Sequence, residues 1–118
     1  MLSIISPSKT LDFNCRPFPR TSAPFFADQI RELLGHMRNL SQTDLEQLMK
    51  ISPKLGKLNH ERFQKFQLPF TPENSRQALL TFKGDVFKGI AVDDYGEEEF
   101  NFAQDHLRIL SGLYGLLR

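Results

Sequence analysis

The sequence predicts a mixed α/β (α+β) domain that is rich in helix and has few strands. Two short apolar runs, residues 2–5 and 78–82, are typical of strands, and five other segments carry apolar residues at helical spacing. The length of 118 residues, 40% of them apolar, suits one domain with its own core. No apolar run approaches the roughly 18 residues of a membrane span. We expect no signal peptide, and the single cysteine, Cys15, favours a reducing cytoplasmic location.

The N-terminal part is predicted to contain a strand and a long loop. Residues 2–5 are followed by Ser6-Pro7, which ends the apolar run, so we expect a buried strand there. Residues 6–22 hold three prolines and no helical period, which predicts an irregular segment. Loops of this length in compact domains are often functional.

Three helices are predicted to follow this loop. Thr21 or Ser22 caps the first helix, which ends near residue 40. Thr43 caps the second in a capping box, and Ser52 precedes a proline that begins the third. The residues expected to face inward are Phe26, Ile30, Leu33, Leu34 and Met37 in the first helix, Leu45, Leu48 and Met49 in the second, and Leu55, Leu58 and Phe66 in the third.

The C-terminal part is predicted to alternate strand and helix. Residues 78–82 fit either a strand or a helix begun near Thr71, and the turn that follows favours the strand. Asp85 is expected to cap a short helix. A longer helix begins in Glu97-Glu-Glu99, where carboxylates favour the positive end, and stops at Ser111-Gly112. Its expected core face is Phe100, Ala103, Leu107 and Leu110.

The charge is unevenly distributed although the net charge is only +1. Residues 1–70 carry a balance of +4 and residues 71–118 a balance of −3. A basic patch is the usual footprint of a polyanionic partner, and a solvated helix face is the structural alternative. The clustered basic residues are Lys50, Lys54, Lys57, Arg62 and Lys65.

Two short motifs carry residue types suited to phosphate. Ser6-Pro-Ser-Lys-Thr10 follows the first strand, and its hydroxyls and ammonium can hold a phosphate, although P-loop glycines are absent. Lys9 is also a candidate base for a neighbouring serine, and an ordinary polar turn remains open. Near the C-terminus, Ser111, Gly112 and Gly115 fit either a helix-hairpin-helix or a glycine cap followed by a strand. Arg108 and Arg118 flank this segment and could neutralise phosphates.

Metal and cofactor chemistry is not indicated by the sequence. The histidines His36, His60 and His106 are far apart, and none stands at the i, i+4 spacing of a helical metal pair. Cys15 has no nearby histidine or second cysteine to support a nucleophilic or redox role. We therefore expect no metal and no cofactor, and the sequence does not support iron binding.

Four blocks of the sequence carry a family resemblance. They are Ile4-Ile-Ser-Pro-Ser-Lys-Thr-Leu-Asp12, Leu48-Met-Lys-Ile-Ser52 with Leu55, Phe82-Lys-Gly-Asp-Val-Phe-Lys-Gly89, and Leu110-Ser-Gly-Leu-Tyr-Gly-Leu-Leu-Arg118. In this order and together they resemble the bacterial YaaA family of peroxide-stress proteins. The resemblance implies a single α/β domain of about twice this length. Residues 1–118 would be its N-terminal portion, continuing after Arg118 with Pro-Leu-Asp.

The resemblance also implies a function. Family members are tied to protection against hydrogen peroxide by lowering unincorporated iron, and to DNA binding through a basic cleft and a helix-hairpin-helix-like element. No reaction follows from it, and the leading hypothesis is a DNA-associated stress protein that contacts the phosphate backbone. The alternative is an enzyme that acts on a nucleotide or small phosphorylated substrate, with Ser6, Lys9, Thr10 and Asp85 converging in a pocket. Ser8 replaces an alanine common in the family, which argues against catalysis by that hydroxyl. The predicted phosphate-binding residues are Ser6, Lys9, Thr10, Lys50, Lys54, Lys57, Arg108, Ser111, Gly112, Gly115 and Arg118.

Overall fold

The computed structural model describes all residues, 1–118, and confirms the mixed α/β class. The chain forms two compact units: Met1–Phe26 with Phe70–Arg118, and Ala27–Pro69. The strands are β1 (Ser3–Ile5), β2 (Thr10–Leu11), β3 (Phe82–Lys83), β4 (Leu107–Ser111) and β5 (Gly115–Leu117). The helices are α1 (Ala27–Arg38), α2 (Gln42–Met49), α3 (Pro53–Lys65), α4 (Ala78–Thr81), α5 (Asp85–Lys88) and α6 (Glu97–His106), and a 3₁₀ turn spans Val92–Asp94. None of the helices is long and apolar enough to cross a membrane.

The first unit contains two small sheets. β4 lies in the centre of one sheet, parallel to β1 and antiparallel to β5, and β2 pairs antiparallel with β3 in the other. Alternation along β4 turns Ile109 inward, where it is 1% exposed. The buried cluster consists of Phe82, Phe87, Ile109 and Leu117, with Ile5, Leu11, Ala78, Leu79 and Tyr114 packed against it.

Three predictions for the first unit are wrong. The helix expected to reach Ser111-Gly112 ends at His106, because Leu107–Ser111 pairs with β1 and β5 as a strand. Residues 78–82 are mainly the helical turn α4, whose Thr81 Oγ1 donates to the Gln77 carbonyl at 2.8 Å. The first strand forms where expected but is not buried, since Ile4 is 59% exposed.

In the first unit, α6 begins where predicted, whereas the cap of α5 is shifted by one residue. α6 begins in the three glutamates as expected, and the Glu99 carboxylate accepts a hydrogen bond from the Gly96 N–H at 2.8 Å. The short helix α5 forms, but Gly84 occupies the cap position and Asp85 is the first helical residue.

The second unit contains three helices, and local capping sets the starts of α2 and α3. α1 begins at Ala27, later than expected, and Ser22 lies in the first unit, where its hydroxyl accepts a hydrogen bond from Gln104 of the same unit at 3.1 Å. α2 is capped by Ser41 rather than Thr43, because Ser41 and Asp44 form the reciprocal capping box. α3 begins at Pro53 as predicted.

The inward faces of these helices agree with the prediction only in part. Ile30, Leu34 and Leu45 are buried as expected. Leu33, Leu48 and Leu58, which were predicted to face inward, are exposed, whereas Gly56, Asn59 and Phe63 form the buried face of α3. Gly56 permits a close approach of α2, since a Cβ there would lie 2.4 Å from Glu46 Cγ.

Candidate functional site

The Ser6–Thr10 motif meets a turn from the other end of the first unit. In the β2–β3 ladder Thr10 lies opposite Lys83, and the Thr10 N–H donates to Ser8 Oγ at 3.1 Å. A Cβ on Gly84 would lie 2.9 Å from that same Oγ, and Gly84 has a φ of +146°. The backbone conformation therefore favours glycine here, and a side chain would also displace the Ser8 hydroxyl. The fold thus brings together two of the four sequence blocks, which are more than 70 residues apart.

The charges around this meeting point are mixed. Ser6, Lys9 and Thr10 are exposed. Lys83 was absent from the predicted set, and its register opposite Thr10 places its side chain on the same face of the ladder. Asp85, two residues after Lys83, is fully exposed, and its carboxylate lies 3.3 Å from Lys88 Nζ. We call Ser6, Lys9, Thr10 and Lys83 the loop site; hydroxyl and ammonium groups are donor types that phosphate oxygens accept from.

The C-terminal motif forms a β-hairpin, which corrects the expected helix-hairpin-helix. β4 and β5 are antiparallel neighbours, and Ser111 pairs with Gly115 across them. Ser111 is 8% exposed, and its hydroxyl accepts the Tyr114 N–H at 3.1 Å. Gly115 has a φ of +72°, and a Cβ there would lie 2.6 Å from Phe26 Cδ2. Ser111 therefore stabilises the turn, and Gly115 allows the close approach of Phe26. Of the three predicted residues, only Gly112 is exposed.

The two arginines of this region differ in their surroundings. Arg108 is half-buried, and its Nη1 donates to the carbonyls of Gln104 and Leu107 at 2.7 Å each. The guanidinium thus caps the C-terminal end of α6, where a cation is favoured. Arg118 is exposed. It lines an open cleft of the first unit, which the sequence did not indicate and which also contains Arg20 and the stacked rings of Phe18 and Phe100.

The predicted lysines Lys50, Lys54 and Lys57 lie in the second unit and are all exposed. Lys50 is the C-cap of α2, with a left-handed φ of 52° and its N–H bonded to the Glu46 carbonyl. Lys54 and Lys57 stand one turn apart on α3, and neither forms a salt bridge. Lys65 extends the same exposed side. We call Lys50, Lys54, Lys57 and Lys65 the lysine row; Glu61 is the acidic residue among them.

The placement of possible metal-ligand side chains and of the single cysteine can also be described. No group of three or more histidine, cysteine, aspartate or glutamate side chains is placed to hold a metal ion. Cys15 is half-buried, with its Sγ 3.8 Å from Thr81 Oγ1.

Comparison with known proteins gives one consistent family. A sequence model of the family described as "Peroxide stress protein YaaA" matches residues 1–118. A UPF0246 protein of Acaryochloris marina is 57% identical over 118 residues, and UPF0246 proteins of Teredinibacter turnerae and Cellvibrio japonicus are each 50% identical over 119. Each comparison covers 100% of this chain but only 46–47% of the relative, so the chain spans about half the length of these relatives. The chain belongs to the peroxide stress protein YaaA family.

Proposed function

We propose that this protein acts in the response to peroxide stress and binds the phosphate backbone of DNA without reading its sequence. The observation that carries the DNA proposal is the lysine row, in which exposed ammonium groups stand without salt-bridge partners. Successive residues of a helix rise by about 1.5 Å, so Lys54 and Lys57 are separated by about 4.5 Å along α3. Such a row neutralises neighbouring phosphates and releases their counterions.

The loop site supports the same chemistry in the first unit. Its hydroxyls and ammonium groups are donors, and phosphate oxygens accept from such groups. Gly112 and Arg118 remain candidate contacts because both are exposed. Arg108, Ser111 and Gly115 are assigned structural roles instead, because their polar groups or backbone conformation serve the fold.

The test is duplex binding measured across a salt series. Each phosphate contact contributes about −0.9 to the slope of log K against log salt. Lys54→Gln and Lys57→Gln are each expected to reduce the magnitude of the slope by about 0.9, and the double variant by about 1.8. Arg31→Gln is the matched control in the same unit, because Arg31 already pairs with Asp28 at 3.0 Å. Unchanged slopes in the lysine variants, or an equal change in the control, would contradict the proposal.

A role in lowering unincorporated iron is proposed at the level of the cell. Ferrous iron reduces hydrogen peroxide to hydroxyl radical, so less free iron means less damage. The resemblance to the YaaA family implies this role, and the family match supports a place in the peroxide response. Expression in a bacterial strain that lacks its own family member is expected to lower chelator-accessible iron and raise survival in peroxide. Survival without a change in iron would refute the iron step.

The second candidate is an enzyme acting on a nucleotide or small phosphorylated substrate at the loop site. It is supported by the β2–β3 pairing, in which Thr10 lies opposite Lys83, two residues before Asp85. Titration with a nucleoside triphosphate, followed by phosphorus NMR, distinguishes the two candidates. Saturable binding that Lys9→Gln removes, with turnover, supports the enzyme. Duplex competition for the same site without turnover supports DNA binding.

A further inference from the structure

The long N-terminal loop forms one wall of the open cleft in the first unit. The side-chain amide of Gln77 donates to the backbone carbonyls of Phe18 and Arg20. The Phe18 ring stacks on Phe100 of α6, with 4.2 Å between the ring centroids. Arg20 Nη1 donates to Asn101 Oδ1 at 2.6 Å. Because these contacts hold the loop by its backbone and by its side chains, the cleft is formed before any ligand enters.

The interior of this cleft is small and apolar. It encloses about 50 Å³, and its apolar lining includes Leu79, Leu80, Ala103 and Ile109. A water molecule needs roughly 10–15 Å³ of such space, so the interior holds a group of about four heavy atoms. A short alkyl chain fits this space and packs against the aliphatic side chains that line it. A nucleoside, with its base and its sugar, does not fit.

The charged groups of the cleft are both cationic. Arg20 and Arg118 line it and are exposed, whereas no aspartate or glutamate side chain lines it. The bond to Asn101 uses one of the five N–H groups of Arg20 and the carbonyl oxygen of the amide, so the Asn101 NH₂ group is a further donor. The planar fork of a guanidinium matches the two oxygens of a carboxylate. The cleft therefore offers several donors to one anionic group as well as an apolar interior.

We propose that the cleft binds a small aliphatic carboxylate, whose alkyl chain occupies the interior and whose carboxylate accepts hydrogen bonds from Arg20 and Arg118. Both parts of the ligand contribute. An ion pair that stays in water adds little affinity by itself, whereas each CH₂ group removed from water tightens binding about fourfold. The proposal goes beyond the proposed function and does not rest on it, because the lysine row that carries the DNA proposal belongs to other residues.

The test is an NMR titration of the ¹⁵N-labelled chain with straight-chain carboxylates from acetate to hexanoate at constant ionic strength. We expect the Kd to fall about two- to fourfold with each added carbon until an alkyl chain of about four carbons fills the interior, and then to level off. The backbone amide resonances that shift should belong to residues of the cleft, such as Leu80 and Ala103. Pentanamide, the neutral analogue of pentanoate, is the matched control ligand and should bind about tenfold more weakly.

Four variants locate the binding. Arg20→Gln and Arg118→Gln are each expected to raise the Kd for pentanoate about three- to tenfold, whereas Arg16→Gln, at an exposed arginine of the same loop outside the cleft, leaves it unchanged. Ala103→Leu adds an isopropyl group to the lining and should remove the dependence on chain length, while the rest of the spectrum remains that of the folded chain. An equal Kd for acetate and pentanoate, an equal Kd for pentanamide, or an equal effect of Arg16→Gln overturns the proposal. So does the absence of saturable shifts in the folded chain.

Discussion

Replacing Gly115 with alanine is expected to destabilise the first unit, because two independent features of this position require glycine. Its φ of +72° is left-handed, which costs an L-residue about 1–2 kcal/mol. The new Cβ would also lie 2.6 Å from Phe26 Cδ2, whereas carbon atoms in contact are normally about 3.5–4.0 Å apart. Phe26 is 37% exposed, so its ring can move towards solvent, and the contact adds up to about 1 kcal/mol. The expected loss is therefore about 1–3 kcal/mol of unfolding free energy.

The assay is urea unfolding followed by tyrosine fluorescence. The chain has two tyrosines and no tryptophan, and both Tyr95 and Tyr114 lie in the first unit, so the signal follows that unit alone. Gly112→Ala is the matched control in the same hairpin, because a Cβ there meets nothing within 4 Å. It is expected to be neutral or to stabilise by up to about 1 kcal/mol.

Two further variants separate the backbone cost from the steric cost. In a Phe26→Ala background the ring is absent, so Gly115→Ala should cost only the backbone part, about 1–2 kcal/mol. Equal effects of Gly112→Ala and Gly115→Ala would refute the reasoning. A Gly115→Ala variant that keeps its stability but loses duplex affinity would also refute the structural role of Gly115. That result would indicate that the glycine contacts DNA.

Two other predictions concern the capping box and the core. Hydrogen bonds from the Ser41 side chain and backbone hold the pKa of Asp44 below its ordinary value of 3.8, so the carboxylate's contribution is complete above that pH and is lost as the pH falls through the lowered pKa. Loss of the N-cap hydrogen bond in Ser41→Ala should cost about 1 kcal/mol at neutral pH. The deficit, followed by circular dichroism of the helices, should become smaller as the pH falls through the lowered pKa of Asp44; a deficit independent of pH would contradict this. Ile109→Ala should cost about 2–5 kcal/mol by tyrosine fluorescence, whereas Leu110→Ala on the exposed face should cost less than about 1 kcal/mol, and similar costs would be inconsistent with the strand register.

The first residue of a helix could be predicted where one residue carried the capping signal. Where two residues could each act as the N-cap, the observed start differed from the predicted one. Ser52 precedes a proline, and α3 begins there as predicted. Around α2, both Ser41 and Thr43 have an acidic residue three positions later, and the sequence does not rank them. The folded chain uses Ser41, since the Asp44 carboxylate accepts both the backbone N–H and the hydroxyl of Ser41.

The candidate site was predictable in its residue types but not in its geometry. The shared exposed side of Lys54, Lys57 and Lys65 follows from their spacing along α3, because helical periodicity is local. The roles of Ser111 and Gly115 did not follow, since the same glycines suit a helix cap or a hairpin. Lys83 was missed because only the β2–β3 register places it opposite Thr10.

The sequence by itself determined the fold class, the starts of α3 and α6, the clustering of basic residues and, through four ordered blocks, the family. These features depend on residues within a few positions of one another or on direct similarity. The tertiary structure alone decided that residues 107–111 form a strand, because their partner is β1, about 100 residues earlier in the chain. It also decided which motif residues face solvent. Strand pairing and burial depend on contacts between distant segments, and a helical apolar period cannot reveal them.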